Sequence, residues 1–259
     1  MARQATTGRC LGCGGNGPVG DPCPESVCAK YALHFIPLRY CAVADGSLPG
    51  SRDPLVGKRV DDHLLVELVG QGGFAQVYLA LQLPELMECA FKLMRPALRT
   101  HPFADSLIRK FRHEAETLAS LNHPNIVRLI RSGTLKGDPF IIMEYARGIS
   151  LKDELERRRE ANRPFSRQTV LTIFDQICNG LQAAHDLQVV HRDIKPDNIL
   201  VQPVSGHPLL VRLVDFGLAR FVEGTSDTQA LFGTPKYMAP ELIRKQKVRV
   251  RRKINRLTK

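Results

Sequence analysis

An apolar run, Leu64, Leu65, Val66, Leu68 and Val69, leads into Gly70-Gln71-Gly72-Gly73-Phe74-Ala75-Gln76-Val77-Tyr78, after which Val77, Leu79 and Leu81 alternate. Two strands flanking a glycine-rich turn are the simplest structure with that period. Backbone amides in such a turn close over phosphate groups, with Phe74 capping the tip, although an ordinary tight turn has the same composition. The next strand, through Cys89-Ala90-Phe91-Lys92, sets a lysine in apolar surroundings where its charge needs a partner. Phe103, Leu107, Phe111, Leu118 and Leu121 then recur at helical intervals. Glu114 falls on or near that face and is the expected partner of Lys92, whereas Glu116 points elsewhere and is expected in solvent.

At 259 residues and 43% hydrophobic content the chain can bury a real core in one or two domains. Its net charge of +11 invites a nucleic-acid reading. Nine of the Lys and Arg residues, however, lie between Arg244 and Lys259, a stretch without any acid, and the remainder holds 28 basic against 26 acidic residues. The basic balance is therefore local to the tail. Without aromatics the tail has no base-stacking platforms, so no specific nucleic-acid partner is expected. Two readings stand: the end of a truncated or frame-shifted product, or a polybasic arm for nucleic acid or an anionic membrane. Met1 to Thr7 lacks the apolar core of a signal peptide, and no apolar run approaches the ~18 residues of a membrane helix. These features predict a cytoplasmic protein with reduced cysteines and no transmembrane segment.

Four of the seven cysteines cluster as Cys10-x2-Cys13 and Cys23-x4-Cys28, around a segment rich in Gly, Pro and Asn. Two thiolate pairs across a short loop complete a tetrahedron around one Zn²⁺, a centre that supplies folding energy so short a segment lacks. His34 is an alternative ligand, and unligated thiols or a disulfide are the competing readings. Cys41, Cys89 and Cys178 are isolated and read as small apolar residues. Residues 41–57, with Gly46, Pro49, Gly50, Ser51 and Pro54, read as a linker.

Further on, Asn122-His123-Pro124-Asn125-Ile126-Val127-Arg128-Leu129 closes the helix and starts a strand, and Phe140-Ile141-Ile142-Met143-Glu144-Tyr145-Ala146 forms another. Val170, Ile173, Phe174, Ile177, Leu181 and Ala184 track one face of a long helix from Ser166 to Leu187. It delivers the chain into His191-Arg192-Asp193-Ile194-Lys195-Pro196-Asp197-Asn198-Ile199-Leu200. A strand through Leu209, Leu210, Val211, Leu213 and Val214 then presents Asp215-Phe216-Gly217, and Ala239-Pro240-Glu241 follows.

Six motifs in this order, over residues 58–243, resemble the protein kinases. Lys195-Pro196-x-Asn198 and Gly233-Thr234-Pro235-x-Tyr237 resemble the serine/threonine branch, in the style of bacterial eukaryotic-like (Hanks-type) kinases with a cysteine-rich leader. The resemblance implies an α+β, two-lobe fold with a β-rich N-lobe and a partial helical C-lobe. It divides the chain into a zinc-ribbon-like segment at 1–40, the linker, a kinase domain at 58–243 and a basic tail at 244–259. The same resemblance assigns roles. Gly70, Gln71, Gly72, Gly73, Phe74, Ala75 and Val77 would cover ATP, Ala75 standing where the family pattern has its third glycine. Ala90 would leave room for adenine, Lys92 would hold the α- and β-phosphates and Glu114 would orient it. Met143 would be the gatekeeper, or ordinary core, with the backbones of Glu144 and Ala146 bonding adenine above Leu200. Asp193 would be the base, Lys195 would neutralise the γ-phosphoryl group, and Asn198 and Asp215 would hold Mg²⁺ or Mn²⁺. Arg192 would bind an activation-loop phosphate, with Thr228 favoured over Thr225 and Ser226 as its acceptor, the alternative being solvated hydroxyls.

Family members continue through several helices after Glu241, where this chain turns basic, so the second lobe is expected to be truncated and to leave an apolar patch under the 166–187 helix. Three functions follow from the residues: an ATP-dependent serine/threonine kinase acting on protein substrates and itself, an inactive fragment or ATP-binding adaptor, and a binding protein using the zinc segment and the tail. The sequence does not speak to the oligomeric state.

Overall fold

The structure of the chain, a computed structural model, describes residues 7–41, 53–191, 193–204, 207–216, 220–221 and 235–237. It divides into two compact units: residues 1–104 with 130–145, and residues 105–129 with 146–259. Each is described by itself.

The first unit opens with a small cysteine module. Strand β1 (Thr7–Cys10) pairs antiparallel with both β2 (Asn16–Pro18) and β3 (Phe35–Pro37), and helix α1 (Ser26–Lys30) lies in between. Strands of three and four residues are too short to hold themselves together, and Cys10, Cys23, Cys28, Leu33 and Phe35 form their shared core. Strands β4 (Arg59–Val60), β5 (His63–Gln71), β6 (Ala75–Gln82), β7 (Met87–Met94), β8 (Leu129–Leu135) and β9 (Asp138–Glu144) follow. They form one sheet in the order β4-β5-β6-β7-β9-β8.

Register sorts the side chains of that sheet, because directly opposed residues share a face. Val77, Lys92 and Ile141 are opposed in turn across β6, β7 and β9, as are Leu79, Ala90 and Met143. Val77, Leu79, Ala90, Lys92 and Met143 therefore occupy one face. The other face carries Leu65, Tyr78, Ala80, Cys89, Phe91, Phe140 and Ile142, all in one buried cluster, with the Phe91 and Phe140 rings stacked 4.7 Å apart. Burial pushes the Cys89 thiol up to about 12, which keeps it the neutral, apolar residue its isolation in sequence implies.

In the second unit, α2 (Ala104–Ser120) buries Leu107, Phe111, Glu114 and Leu118 at helical spacing. Phe103, expected on that stripe, stands before the helix and is 67% exposed. The helix begins one residue later, where the Ala104 amide donates to the His101 carbonyl. Strand β10 (Ile149–Ser150) precedes α3 (Leu151–Glu160), and Ser150 caps it by accepting the Asp153 amide at 3.0 Å. Helix α4 (Arg167–Asp186) starts in the same manner, Ser166 accepting the Thr169 amide at 3.1 Å. Its predicted stripe divides. Ile173, Ile177 and Ala184 are buried, while Phe174 is 61% exposed beside Val170 and Leu171. Strands β11 (Val189–Val190), β12 (Ile199–Val204), β13 (His207–Leu213) and β14 (Arg220–Phe221) complete the unit; β12 pairs with β10 and β13, and β11 with β14. Among the described residues no helix is long and apolar enough to cross a membrane.

Candidate active site and cysteine centre

A buried polar network fixes the strand that leads to Asp215. The Gln176 side chain, projecting from α4, accepts from the Val211 amide at 2.9 Å and donates to the Leu209 carbonyl at 2.9 Å. Asn125 donates to Gln176 at 3.0 Å and to the Val211 carbonyl at 2.8 Å, and its own carbonyl accepts the Leu213 amide. Both backbone groups of β13 are thereby satisfied away from water, which a buried strand edge requires. Asn125 lies in the segment Asn122 to Leu129 between helix and strand, but Gln176 did not stand out in the sequence, since an amide on a helix face carries no motif. The signal available was one polar residue inside an otherwise apolar stripe.

The loop between β11 and β12 holds the charged residues. His191 is 1% exposed, donates through Nε2 to the Val214 carbonyl at 3.2 Å and accepts the Asp193 amide on Nδ1 at 3.3 Å, an arrangement that requires the neutral Nε2-protonated ring. Its ring leans on Phe216 at 4.4 Å. Asn198 Nδ2 donates to the Asp193 carbonyl at 2.8 Å and to Asp193 Oδ2 at 2.9 Å, and Lys195 Nζ stands 2.9 Å from that same Oδ2. The Val214 amide donates to the Asn198 carbonyl at 3.0 Å, tying the loop to the end of β13. Asp215 follows with φ +64°, a left-handed backbone that costs a non-glycine residue about 1 kcal/mol and recurs at functional positions. Its side chain is exposed. Asp197 turns away toward Lys152, 3.7 Å distant.

Burial pushes the His191 imidazole below its ordinary value near 6.5, against the opposing bond to Val214 and the charges of Asp215 and Asp193. Folding therefore releases a proton that the unfolded chain would bind. The corresponding stability is complete above the unfolded pKa of about 6.5 and falls as the pH drops below it. Thermal melts from roughly pH 7.5 to 5.5 should show this decline, with a shallower slope in His191→Gln; an identical slope in the variant would assign the loss to other groups.

In the first unit, β5 and β6 pair as far as Gln71 opposite Gln76, with register shifts between Leu65 and Glu67 and between Leu68 and Gly70, and the Gly72 amide donates to the Ala75 carbonyl at 2.9 Å. The tip is thus Gly72-Gly73-Phe74, with Phe74 half exposed and Ala75 buried inside β6, paired with Met94. A methyl group at Ala75 fits because that position belongs to the strand. Met143 is buried in β9, and Glu144 opposes Cys89. In the second unit Ala146 is buried, Leu200 is half-buried in β12, and Glu114 is buried on α2 while Glu116 stands in solvent 3.5 Å from His113. Lys92 and Glu114 belong to different units. Arg192, Gly217, Thr225, Ser226, Thr228, Thr234 and Ala239 to Glu241 lie outside the described residues.

The four leader cysteines converge. The Sγ atoms of Cys10, Cys13, Cys23 and Cys28 all lie within 4.8 Å of one another, with Cys10 to Cys28 and Cys13 to Cys23 at 3.6 Å. Four thiolates at Zn–S distances of about 2.3 Å sit roughly 3.8 Å apart, so the cluster has tetrahedral dimensions. The Gly12 and Gly15 amides donate to the sulfurs of Cys10 and Cys13 at 3.4 Å. The Gly15 bond holds the Cys13 thiol below its usual range, whereas burial pushes those of Cys23 and Cys28 up. Buried thiols this close do not ionise together without a cation among them. His34 is not one of the group, its Nδ1 lying 3.1 Å from the Ala32 carbonyl. All seven cysteines are free in the structure.

A carboxylate held between an amide and an ammonium stands on a chain that also carries a lysine strand behind a glycine turn. The protein kinase domain family matches residues 64–254, and the chain belongs to that family, on its serine/threonine side. It is 32% identical to serine/threonine-protein kinase Pkn1 of Myxococcus xanthus over 93% of its own length and 33% of that protein's. Similarity to PrkC of Bacillus subtilis is 35% over 73% of this chain and 28% of the relative, and to PknB of Mycobacterium tuberculosis 33% over 74% and 30%. The chain thus spans about a third or less of the length of these relatives.

Proposed function

We propose that this chain transfers the γ-phosphoryl group of ATP, bound with Mg²⁺, to serine and threonine hydroxyls of protein substrates and of itself. The observation that carries the reading is the Asp193 carboxylate, oriented by Asn198 Nδ2 at 2.9 Å and by Lys195 at 2.9 Å. A carboxylate so held accepts the proton of a hydroxyl that attacks phosphorus, and Lys195 beside it offsets charge developing on the transferred group. With Nδ2 committed to Asp193, the amide oxygen is the end of Asn198 offered to a cation, and Asp215 supplies a second, exposed oxygen ligand. These hard oxygen donors suit Mg²⁺, which when bound neutralises phosphate charge. On the sheet face, Lys92 would hold the α- and β-phosphates, Val77, Ala90 and Met143 would contact adenine, and Glu114 would orient Lys92.

Incubation of the purified chain with labelled Mg-ATP and an acceptor protein should place phosphate on Ser and Thr. A monodisperse preparation that binds ATP but transfers nothing would overturn this reading in favour of a nucleotide-binding adaptor. The dimensions of the cysteine cluster also support a structural zinc with Cys10, Cys13, Cys23 and Cys28 as ligands, in a protein acting in a reducing, cytoplasmic setting. Native mass spectrometry should find one zinc per chain, lost in Cys10→Ser; a metal-free native protein contradicts it.

A further inference from the structure

The cysteine module does not hang beside the sheet. Strand β1, which ends in Cys10, is in register with β3, with Cys10 opposite Phe35 and Arg9 opposite Ile36. Alternation then sends the Phe35 side chain into the cysteine core and Ile36 the other way, into a cluster with Cys41, Leu64, Val66, Leu79 and Leu81. Ile36 is fully buried there. Leu79 and Leu81 belong to the sheet face of Lys92 and Ala90, since Leu79 opposes Ala90 and Leu81 opposes Glu88. Tyr40 crosses to the same face, its hydroxyl donating to Glu88 Oε1 at 2.7 Å. Tyr145, directly after Glu144, packs against this cluster as well. Backbone bonds add to the attachment: Leu33 bridges Lys58, and the His34 amide donates to the Gly57 carbonyl at 2.8 Å.

From these contacts we infer that the cysteine module is a positioning element of the nucleotide-binding face, and that its zinc sets how well the chain binds ATP. The inference rests on the zinc and ATP readings above and adds the coupling between them. Its path is short: Cys10 fixes β3, Ile36 of β3 fixes Leu79 and Leu81, and Leu79 neighbours Ala90, which opposes Met143. Tyr145, the first residue after β9, joins the same contact. A module of three- and four-residue strands has little core besides its cysteines, so loss of the cation should melt it. Removing the cover from Leu64, Val66, Leu79 and Leu81 exposes apolar surface and frees Tyr145. The face then samples arrangements that do not hold adenine, and apparent affinity falls with the competent fraction.

The test uses the whole 259-residue chain, with zinc counted by native mass spectrometry and ATP affinity measured by titration calorimetry well below the melting temperature. Chelation should remove the zinc and weaken ATP binding by about tenfold or more, and added zinc should restore it. Ile36→Ala and Tyr40→Phe leave every cysteine in place, so each should keep one zinc and still bind ATP more weakly, Ile36→Ala the more so. If chelated protein precipitates, these two variants decide. Zinc removed, or both variants made, with ATP affinity unchanged within about twofold would overturn the coupling while leaving the zinc site standing. A native chain without zinc would sink the zinc reading, and the coupling with it. A zinc-loaded chain with no ATP affinity would sink both the ATP reading and the coupling.

Discussion

Asp193→Asn should lower phosphoryl transfer by about 10²–10⁴-fold, the usual contribution of a positioned base, while leaving ATP affinity nearly unchanged. The substitution is close to isosteric, but it removes a carboxylate that can accept a proton and is oriented from two sides. Asn198 and Lys195 both reach the same oxygen, Oδ2, so an amide oxygen in that place still accepts from both, but it is uncharged and no longer takes up a proton, and Lys195 loses its ion pair. Side chains at this site are only partly buried, which limits the cost to stability. Phosphate incorporation and nucleotide titration on the same preparations check the split. Transfer surviving at the wild-type rate would remove Asp193 from the chemistry, and a parallel loss of ATP binding would make its role structural.

Phe91→Ala should have the largest effect on folding. Its ring is fully buried at the centre of the sheet's second face and stacks on Phe140 at 4.7 Å, so the deletion removes a large apolar group and leaves a cavity between β6, β7 and β9. Such truncations cost about 3–5 kcal/mol. In a chain of this size that corresponds to a melting temperature lower by roughly 6–20 °C. Phe174→Ala is the matched control: the same atoms are lost from the exposed strip on α4, where surface changes are usually within about 0.5 kcal/mol. Denaturant unfolding of both variants checks the contrast. Equal losses would mean that Phe174 is covered in solution.

Much of this was legible because each motif pairs a chemical need with a local period. Gly70 to Val77 announces a turn between strands, and the structure makes one with its tip at Gly72-Gly73-Phe74. Glu114 and Glu116 were separable by helical phase alone, and one is buried and the other exposed as phase requires. Phase failed where the partner surface mattered. Val170 and Phe174 share the stripe of Ile173 and Ile177, yet only the latter pair meets buried surface. Gln176, and the bonds that Asn125 makes, were invisible for a related reason: their value lies in satisfying backbone groups of β13, far away in sequence.

Sequence alone determined the family, and residue type and spacing were enough to single out the residues proposed to carry its chemistry and the four cysteines of the leader. Tertiary structure alone decided that those cysteines meet at tetrahedral distances. It also decided that the module they hold packs through Ile36 and Tyr40 onto the sheet face of Lys92 and Ala90. The reason is physical. A strand's alternation says that it has two faces but not what covers either one, and here the cover comes from residues more than forty positions earlier, across a stretch that reads as a linker.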